Sequence, residues 1–240
     1  RGDCWWRYAL SEEGAEIIHE ALEENGVTPV FDSGVDHFTT DDDGHVTGAV
    51  DPNGEEFDGE FVGVAIGLNF NTEFLEGSGL ELDDGIVTDE FMQTNVEDVY
   101  AAGDITRYYD TILGEQAQNG AWGSAKEQGA VAGKNMVADD EAEEFRWVSS
   151  YSITHFDFPF LSFGHPTIGD EYAERKYSDS EWRRIAFKDG KVVGGVLIGD
   201  LAPQSKFKQL IREEREVADQ KEVLLEQSVD LDNLDASAEV

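Results

Sequence analysis

Thr94-Asn-Val-Glu-Asp-Val-Tyr-Ala-Ala-Gly-Asp104 is the stretch on which the fold of this 240-residue chain depends. It begins as a polar turn, continues as a short apolar strand from Val99 to Ala102, and ends at Gly103-Asp104 before a region that favours helix. Small residues at the end of a strand allow a ligand or another backbone to approach closely, and the Asp104 carboxylate can accept hydrogen bonds from ligand hydroxyls. The pattern predicts a site for a sugar-like chain.

The whole stretch resembles the second flavin-binding motif of the pyridine nucleotide-disulfide oxidoreductase superfamily. The resemblance rests on the Thr at its head, its length, and the Ala-Ala-Gly-Asp at its tail. It implies that Gly103 and Asp104 bind FAD and that Asp104 holds the ribityl chain. Taken alone, Ala102-Gly103-Asp104 could equally be a structural junction between a strand and a turn.

The charge is strongly one-sided, with 53 acidic residues, 17 basic residues and a formal net charge of -36. Such a surface repels phosphate backbones and anionic membranes, so we expect no nucleic-acid partner and no membrane partner. The acidic residues are spread through well-patterned segments, which is typical of a halophilic protein from a high-salt cytoplasm. The alternative is a protein from a cytoplasm of ordinary salt concentration that uses an acidic face to bind a partner.

Cysteine and histidine usage limits the chemistry. Cys4 is the single cysteine, so the chain has neither an internal disulfide nor a redox-active cysteine pair. The five histidines show no metal-ligand spacing, and no metal site is predicted. No apolar run approaches the roughly 18 residues of a membrane helix and no signal peptide is visible, so a cytoplasmic location is expected.

The N-terminal region alternates helix and strand signals. A helix is predicted from Ser11 to Gly26 and a strand from Val27 to Phe31. Three antiparallel strands should follow, separated by Asp43-Gly44 and Asn53-Gly54, both strong hairpin signals. These strands are predicted at Val35 to Thr39, His45 to Asp51 and Glu56 to Ile66.

This order of elements resembles the second half of the NAD(P)H-binding domain of the same superfamily. The apolar run Phe61-Val-Gly-Val-Ala-Ile-Gly67 reads as a strand buried on both faces. Gly67-Leu-Asn-Phe-Asn71 stands where the superfamily has Gly-x-x-Pro-Asn beside the nicotinamide dinucleotide, with Phe70 in place of Pro. Gly67 is therefore a candidate cofactor contact, and a turn whose glycine only relieves strain is the alternative.

Beyond Asp104 the pattern predicts a loop and then a long helix from Glu115 to Ala138. Its many Gly and Ala residues predict close packing against another backbone or a cofactor, because each Gly costs a helix roughly 1 kcal/mol relative to Ala. The positive N-terminal end of such a helix could stabilise negative charge on a reduced flavin, as the resembling helix does in the superfamily. This makes Glu115, Gln116 and Ala117 further FAD-binding candidates; a packed core helix without a ligand is the alternative, and Trp122 and Lys126 read as packing and surface residues.

The polar segment Asp139 to Glu144 predicts a domain boundary. After it come aromatic strands at Tyr151 to His155 and Phe158 to Phe163, where the aromatic rings could face a flavin or simply fill a core. A hairpin around Asp189-Gly190 joins Trp182 to Phe187 and Lys191 to Ile198, and a helix is predicted from Pro203 to about Gln227. His165-Pro166 is interpreted as a loop, and the residues from Val229 onwards as frayed.

The hairpin region Arg183 to Asp200 resembles the C-terminal domain of rubredoxin, ferredoxin and nitrite reductase-type NAD(P)H:FAD oxidoreductases. No Gly-x-Gly-x-x-Gly loop is present, so neither dinucleotide's pyrophosphate site can be placed, and a fragment of a longer protein is expected. The predicted domains are residues 1–67 (second half of the NAD(P)H-binding domain), 68–140 (part of the FAD-binding domain), 145–227 (C-terminal α+β interface domain) and 228–240 (acidic tail). The fold class expected is α/β plus α+β, with partial Rossmann-like domains.

The resemblance implies an FAD-dependent oxidoreductase that passes electrons from NAD(P)H through flavin to an acceptor such as a small redox protein. The implied cofactors are FAD and NAD(P)H, and no catalytic acid, base or nucleophile can be identified. In related reductases the C-terminal domain packs at the flavin face or mediates dimerisation, so the resemblance also implies a possible homodimer. The alternative function is a truncated scaffold or dimerisation module that binds no FAD on its own.

Overall fold

A computed structural model describes residues 2–138, 141–155 and 158–236. The chain divides into two compact units, Arg1–Asn69 and Phe70–Val240. Within the described residues, no helix combines the length and the apolar character needed to cross a membrane. The predictions at Asp139, Asp140, Phe156, Asp157 and residues 237–240 lie outside the described residues.

The first unit contains one helix and a three-stranded antiparallel sheet. Ala15, Ile17 and Ile18 form the buried stripe of the helix, which ends before Gly26, where φ is +77°. The sheet has the order β1-β2-β3, and its two turns are shaped by Asp41 and Asp51, whose carboxylates accept backbone N–H bonds from residues two and four positions ahead. The elements are α1 (Glu12–Glu24), β1 (His37–Thr40), β2 (Val46–Val50) and β3 (Glu56–Asp58).

Two strands predicted in the first unit are absent. Residues 27–31 form no strand, and the run from Phe61 to Gly67 pairs with no other segment that the structure describes, so the third strand of the meander ends at Asp58. The predicted burial of that run is also wrong, because Phe61 is 87% exposed and Ile66 is 92% exposed. An apolar run has side chains that suit a buried strand. The strand forms only where a neighbouring strand provides backbone hydrogen bonds.

The second unit begins with a small mixed sheet and a helix. In the sheet β5 lies in the centre, parallel to β4 and antiparallel to β6. The apolar core here includes Met92, Tyr108, Leu113, Val131 and Phe145. The elements are β4 (Ile86–Thr88), β5 (Thr106–Asp110), β6 (Glu115–Ala117) and α2 (Trp122–Asn135).

Three sequence predictions in this region need correction. The predicted strand from Val99 to Ala102 is reduced to a single bridge between Gln93 and Tyr100, and the strand β5 lies in the predicted loop after Asp104. The long helix begins at Trp122 and not at Glu115, because residues 115–117 pair with β5. Small residues do not mark close packing throughout α2, since Gly129, Ala130 and Gly133 are exposed.

The rest of the second unit is a five-stranded antiparallel sheet in the order β7-β8-β11-β10-β9, covered by a helix. Phe207, Leu210 and Ile211 of that helix are buried, and the ring of Phe207 stacks on Phe163 at 5.4 Å between centroids. The elements are β7 (Ser150–Ile153), β8 (Phe160–Gly164), β9 (Glu171–Ser178), β10 (Glu181–Lys188), β11 (Lys191–Ile198) and α3 (Gln204–Glu213).

The predicted C-terminal helix is too long, because α3 ends at Glu213 and Glu214 adopts a left-handed φ of +51°. Short helical segments follow, namely α4 (Lys221–Leu224) and α5 (Asp232–Ala236). Val229 and Leu234 are buried against the sheet core, so the prediction of a frayed tail is wrong for these residues. The mixture of helices with small mixed and antiparallel sheets agrees with the predicted α/β plus α+β class.

Candidate functional site

Gly103 and Asp104 form a tight turn held by a buried glutamine of α2. Gly103 has a φ of +98°, and its backbone N–H donates a 2.7 Å hydrogen bond to Oε1 of Gln128. The hydroxyl of Thr106 lies 2.6 Å from the same Oε1 and 2.7 Å from the Gly103 carbonyl oxygen. Nε2 of Gln128 donates in turn to Oγ of Ser124 at 3.2 Å. The turn is therefore fixed to the helix on its inner side.

The Asp104 side chain has a carboxylate oxygen that is not used as an acceptor. Oδ1 of Asp104 is buried, and within the described residues no hydrogen-bond donor reaches it. A buried carboxylate oxygen without a donor is costly, so the position suits a ligand that brings a hydroxyl or N–H group. Apart from residues 102–104, no heavy atom of the described residues lies within 4 Å of the point where a Cβ on Gly103 would stand, which leaves room for such a group.

Thr94, at the head of the motif, shapes the preceding turn. Its hydroxyl donates to the Val99 carbonyl at 3.0 Å and accepts from the Val96 N–H at 3.2 Å, while its own N–H donates to the Val99 carbonyl at 2.9 Å. The side chain is fully engaged in this turn. Thr94 thus sets the path of the chain toward Gly103.

The N-terminus of α2 lies at residues 119–123. Ala121 occupies the N-cap position with an extended backbone, and its N–H donates to Oδ1 of Asn119 at 3.1 Å. The first turn of the helix contains no acidic residue, so its positive end is not neutralised from within. Trp122 is 84% exposed, which corrects its interpretation as a packing residue. The positive helix end that the sequence placed at Glu115 therefore begins after Ala121.

Glu115, Gln116 and Ala117 lie instead in β6. Glu115 accepts a 2.9 Å hydrogen bond from Nζ of Lys188, and Nε2 of Gln116 donates to the Thr88 carbonyl at 3.3 Å. Gln116 also lines a shallow depression of about 510 Å³ that is bordered by residues of β4, β5 and β6. Gly103 and Asp104 are not part of its lining, so the candidate residues do not form one pocket.

Gly67 lies in the first unit. Its φ is +108°, a conformation that favours glycine, and apart from residues 66–68 no heavy atom of the described residues lies within 4 Å of where its Cβ would stand. Open space at this turn is compatible with both interpretations of Gly67, a cofactor contact and a glycine that only relieves backbone strain. Among the described residues, no group of three or more His, Cys, Asp and Glu side chains has the arrangement of a metal site.

The sequence did not reveal a buried contact between a histidine and an aspartate. Nε2 of His165 lies 2.8 Å from Oδ2 of Asp110, and the two side chains are 12% and 4% exposed. Burial alone would raise the pKa of Asp110, but the His165 hydrogen bond and charge, with the N–H groups of Leu113 and Ile112, bring that pKa below its ordinary value. Burial, followed by the charge of Asp110, raises the pKa of Tyr108.

Gln128, the residue that fixes the candidate turn, was also missed. A Gln within a helical pattern usually lies on the solvated face, and nothing in its spacing distinguishes it. The one available signal was the pair of polar residues four positions apart, Ser124 and Gln128, on a helix rich in small residues. Both are fully buried.

Comparison with known proteins relates these features to a family. Residues 6–129, about half of the chain, match the family described as pyridine nucleotide-disulphide oxidoreductase. Residues 152–215 match the rubredoxin NAD+ reductase C-terminal domain. The first match contains the Gly103-Asp104 turn and the start of α2, and the second contains most of the five-stranded sheet and α3.

Similar curated proteins and structures agree with this. The chain is 27% identical over 187 residues to the pyridine nucleotide-disulfide oxidoreductase domain-containing protein 1 of Pongo abelii, an alignment that covers 72% of the chain and 37% of that protein. It is 22% identical over 213 residues to the NAD(P)H nitrite reductase of Bacillus subtilis (strain 168), covering 88% of the chain and 26% of that protein.

The crystal structure of the covalent putidaredoxin reductase-putidaredoxin complex superposes with a TM-score of 0.85 at 19% identity, covering all of this chain and 57% of the other. At 19% identity, this superposition is evidence for a shared fold alone.

The chain spans about a quarter to two fifths of the length of the two curated relatives named above. With half of its length matched to the family, the chain belongs to the pyridine nucleotide-disulphide oxidoreductase family.

Proposed function

We propose that this chain contributes part of the site of an FAD-dependent NAD(P)H oxidoreductase whose electron acceptor is a small redox protein. The observation that carries the proposal is the buried, unpartnered Oδ1 of Asp104 beside the open face of Gly103. A ribityl hydroxyl would supply the donor that this oxygen lacks. When bound, FAD supplies the ring that accepts the hydride of NAD(P)H.

The residues of the chain would then hold and orient the cofactor. Asp104 accepts the hydrogen bond of a hydroxyl, and Gln128 keeps the turn in place from behind. The N-terminus of α2, which follows Ala121, places its free N–H groups and positive dipole end where negative charge can be stabilised. Gly67 stays a proposed contact on the nicotinamide side.

The proposal of a redox-protein acceptor is supported by the similar proteins. The structural match is titled as a reductase in complex with putidaredoxin, and the match over residues 152–215 is to a C-terminal domain of rubredoxin NAD+ reductase. These names describe the other proteins. They favour a protein acceptor for this chain.

Titration of the purified chain with FAD tests the proposal, with flavin fluorescence and the visible spectrum as readouts. We expect saturable binding and about tenfold weaker binding by Asp104→Ala, because one charge-assisted hydrogen bond is lost. Glu97→Ala is the matched control, since Glu97 lies exposed in the same motif and should leave FAD affinity unchanged. Reduction of the bound flavin by NADH or NADPH without oxygen then tests hydride transfer.

Two outcomes would count against the proposal. Equal FAD affinity of Asp104→Ala and the wild type would remove Asp104 from the site. A folded wild-type chain that takes up no FAD would favour the alternative, a scaffold or dimerisation module that binds no flavin on its own. Circular dichroism of each variant shows whether the fold is retained.

A further inference from the structure

The shallow depression bordered by β4, β5 and β6 has a lining that carries negative charge. Its volume is about 510 Å³, and three carboxylates line it, namely Glu81, Asp89 and Glu90. Among the described residues, no Lys, Arg or His side chain lines it, and none of the three carboxylates forms an ion pair. Arg107 of β5 is engaged elsewhere, since its Nε lies 3.2 Å from Oδ2 of Asp83. The depression is therefore suited to a ligand that brings positive charge.

The three carboxylates are not arranged around a single point. Within the described part of the chain, no group of three or more His, Cys, Asp and Glu side chains could hold a metal ion. Oδ1 of Asp89 accepts the N–H groups of Phe91 and Gln93, each at 2.9 Å, so this carboxylate is fixed by its own turn. Because a compact metal ion needs oxygen ligands that converge on it, a better match is a ligand with positive charges at separate positions.

Two oxygens of the lining residues have no hydrogen-bond partner. Oγ1 of Thr88 and Oε1 of Gln116 are buried, and within the described residues nothing bonds to either. Thr88 itself is 1% exposed. The Gln116 amide is oriented by its Nε2, which donates to the Thr88 carbonyl at 3.3 Å, so Oε1 is left as the acceptor. Unsatisfied buried oxygens cost free energy, which a ligand with N–H donors would recover.

The rest of the lining includes surface for a hydrocarbon chain. Val87 of β4 and Tyr109 of β5 are half-buried and line the same depression. Methylene groups can pack on both side chains, and an ammonium group can lie over the Tyr109 ring. The lining thus combines separated negative charges, unpartnered acceptors and apolar contact area.

We propose that this depression binds a linear polyamine, in which ammonium groups are separated by methylene chains. The ammonium groups pair with the carboxylates of Glu81, Asp89 and Glu90. They also donate to Oγ1 of Thr88 and Oε1 of Gln116, while the methylene groups contact the apolar part of the lining. The inference is independent of flavin binding, because Gly103 and Asp104 do not line the depression.

A solvated acidic surface without a specific ligand is the alternative. A chain with 53 acidic residues and a net charge of -36 attracts any polycation loosely over much of its surface. Such attraction depends on total charge and not on position. It predicts that the removal of any two exposed carboxylates weakens polyamine binding equally, and that an uncharged hydroxyl has no effect.

Isothermal titration calorimetry with spermidine tests the proposal. The buffer should contain about 1 M KCl, where the screening length of about 3 Å suppresses loose binding to the acidic surface. We expect saturable binding by the wild type and about tenfold weaker binding by the variant Glu81→Gln/Glu90→Gln. Glu23→Gln/Glu24→Gln is the matched control, because it removes two exposed carboxylates from the end of α1 and changes the net charge equally.

Thr88→Val tests the unpartnered hydroxyl without a change of charge. The variant replaces the hydroxyl by a methyl group of similar size, so it should not lower the melting temperature. We expect it to bind spermidine about fivefold more weakly than the wild type, because one hydrogen bond to an ammonium group is lost. Amide chemical shifts in the NMR spectrum of the wild type should change on spermidine addition at residues 87–90 and at Gln116.

Four outcomes would overturn the proposal. They are the absence of saturable binding by the folded wild type, equal losses of affinity for the two double variants, wild-type affinity of Thr88→Val, and tighter binding of Mg²⁺ than of spermidine at these residues. Circular dichroism shows whether each variant is folded. The readout does not involve flavin, so a failure of spermidine binding and a failure of FAD binding are separate results.

Discussion

Nε2 of His165 lies 2.8 Å from Oδ2 of Asp110, and this contact joins the loop after β8 to the end of β5. The other oxygen of Asp110 accepts the N–H groups of Ile112 at 2.8 Å and Leu113 at 3.1 Å. His165 is fixed through its own backbone, whose N–H donates to the Val193 carbonyl at 2.8 Å. The pair therefore connects the small mixed sheet with the five-stranded sheet inside the second unit.

Replacing Asp110 by Asn should destabilise the fold by about 2–4 kcal/mol, because the variant loses a charged hydrogen bond in a buried position. Urea unfolding measures the change. Asp179→Asn is the control, since Asp179 is 97% exposed and should shift the stability by less than about 0.5 kcal/mol. A double-mutant cycle with His165→Gln should give a coupling energy clearly above zero; additive effects would show that the contact contributes nothing.

The same pair gives a pH dependence with a defined sign. The folded-state pKa of Asp110 is below the ordinary value of 3.8. Its contribution to stability is therefore fully present above the unfolded-state pKa and is lost as the pH falls through the lower, folded-state pKa. The stability difference between the wild type and Asp110→Asn should shrink as the pH falls below about pH 4. A difference that stays constant down to pH 2 would contradict the assignment.

Gln128→Met should loosen the Gly103-Asp104 turn. The variant keeps the length of the side chain but removes the acceptor shared by the Gly103 N–H and the Thr106 hydroxyl. We expect a loss of about 2–3 kcal/mol, because buried donors are left unsatisfied. Amide exchange at Gly103, followed by NMR, should become faster. Lys126→Met, on the exposed face of the same helix, should change neither quantity.

The sequence predicted the local turns well, because their chemistry is contained in a few residues. Asp43-Gly44, Asn53-Gly54 and Asp189-Gly190 all form the expected hairpins, with positive φ at each glycine. The strand at Phe61 to Gly67 failed for the opposite reason, since it depends on a neighbouring strand that its own residues cannot specify.

The candidate site was predictable only in part. Asp104 was found because a recognisable pattern surrounds it, and the structure leaves its Oδ1 available for a ligand. Gln128 and the His165–Asp110 pair depend on contacts between residues 25 and 55 positions apart. β6 was read as helix because Glu, Gln and Ala favour helix intrinsically, whereas pairing with β5 overrides that preference.

Salt should stabilise the chain. A net charge of -36 produces self-repulsion in the compact state, and KCl at 1 M shortens the screening length to about 3 Å. We expect the melting temperature to rise steadily between about 0.1 and 2 M KCl. Sodium chloride should act similarly if screening is responsible. A melting temperature independent of KCl would contradict the high-salt interpretation of the composition.

Arg183 should be needed to hold the segment after α4. The residue is 2% exposed, and its Nη1 donates to the carbonyls of Leu224 at 2.9 Å and Glu226 at 2.7 Å. Burial lowers its pKa, so the cation is retained against a desolvation cost that these carbonyls offset. Arg183→Met would leave both carbonyls without donors while keeping apolar volume in the core.

We expect this variant to lose about 2–4 kcal/mol of stability and to exchange amide protons faster in residues 224–229 than elsewhere. Arg175→Met is the comparison. Arg175 also donates to this segment, to the Leu225 carbonyl at 2.8 Å, but its side chain is 38% exposed and water can replace it. Its loss should cost at most about 1 kcal/mol. Equal losses of stability for the two variants would contradict this explanation. They would mean that water replaces the lost hydrogen bonds no better at the exposed Arg175 than at the buried Arg183.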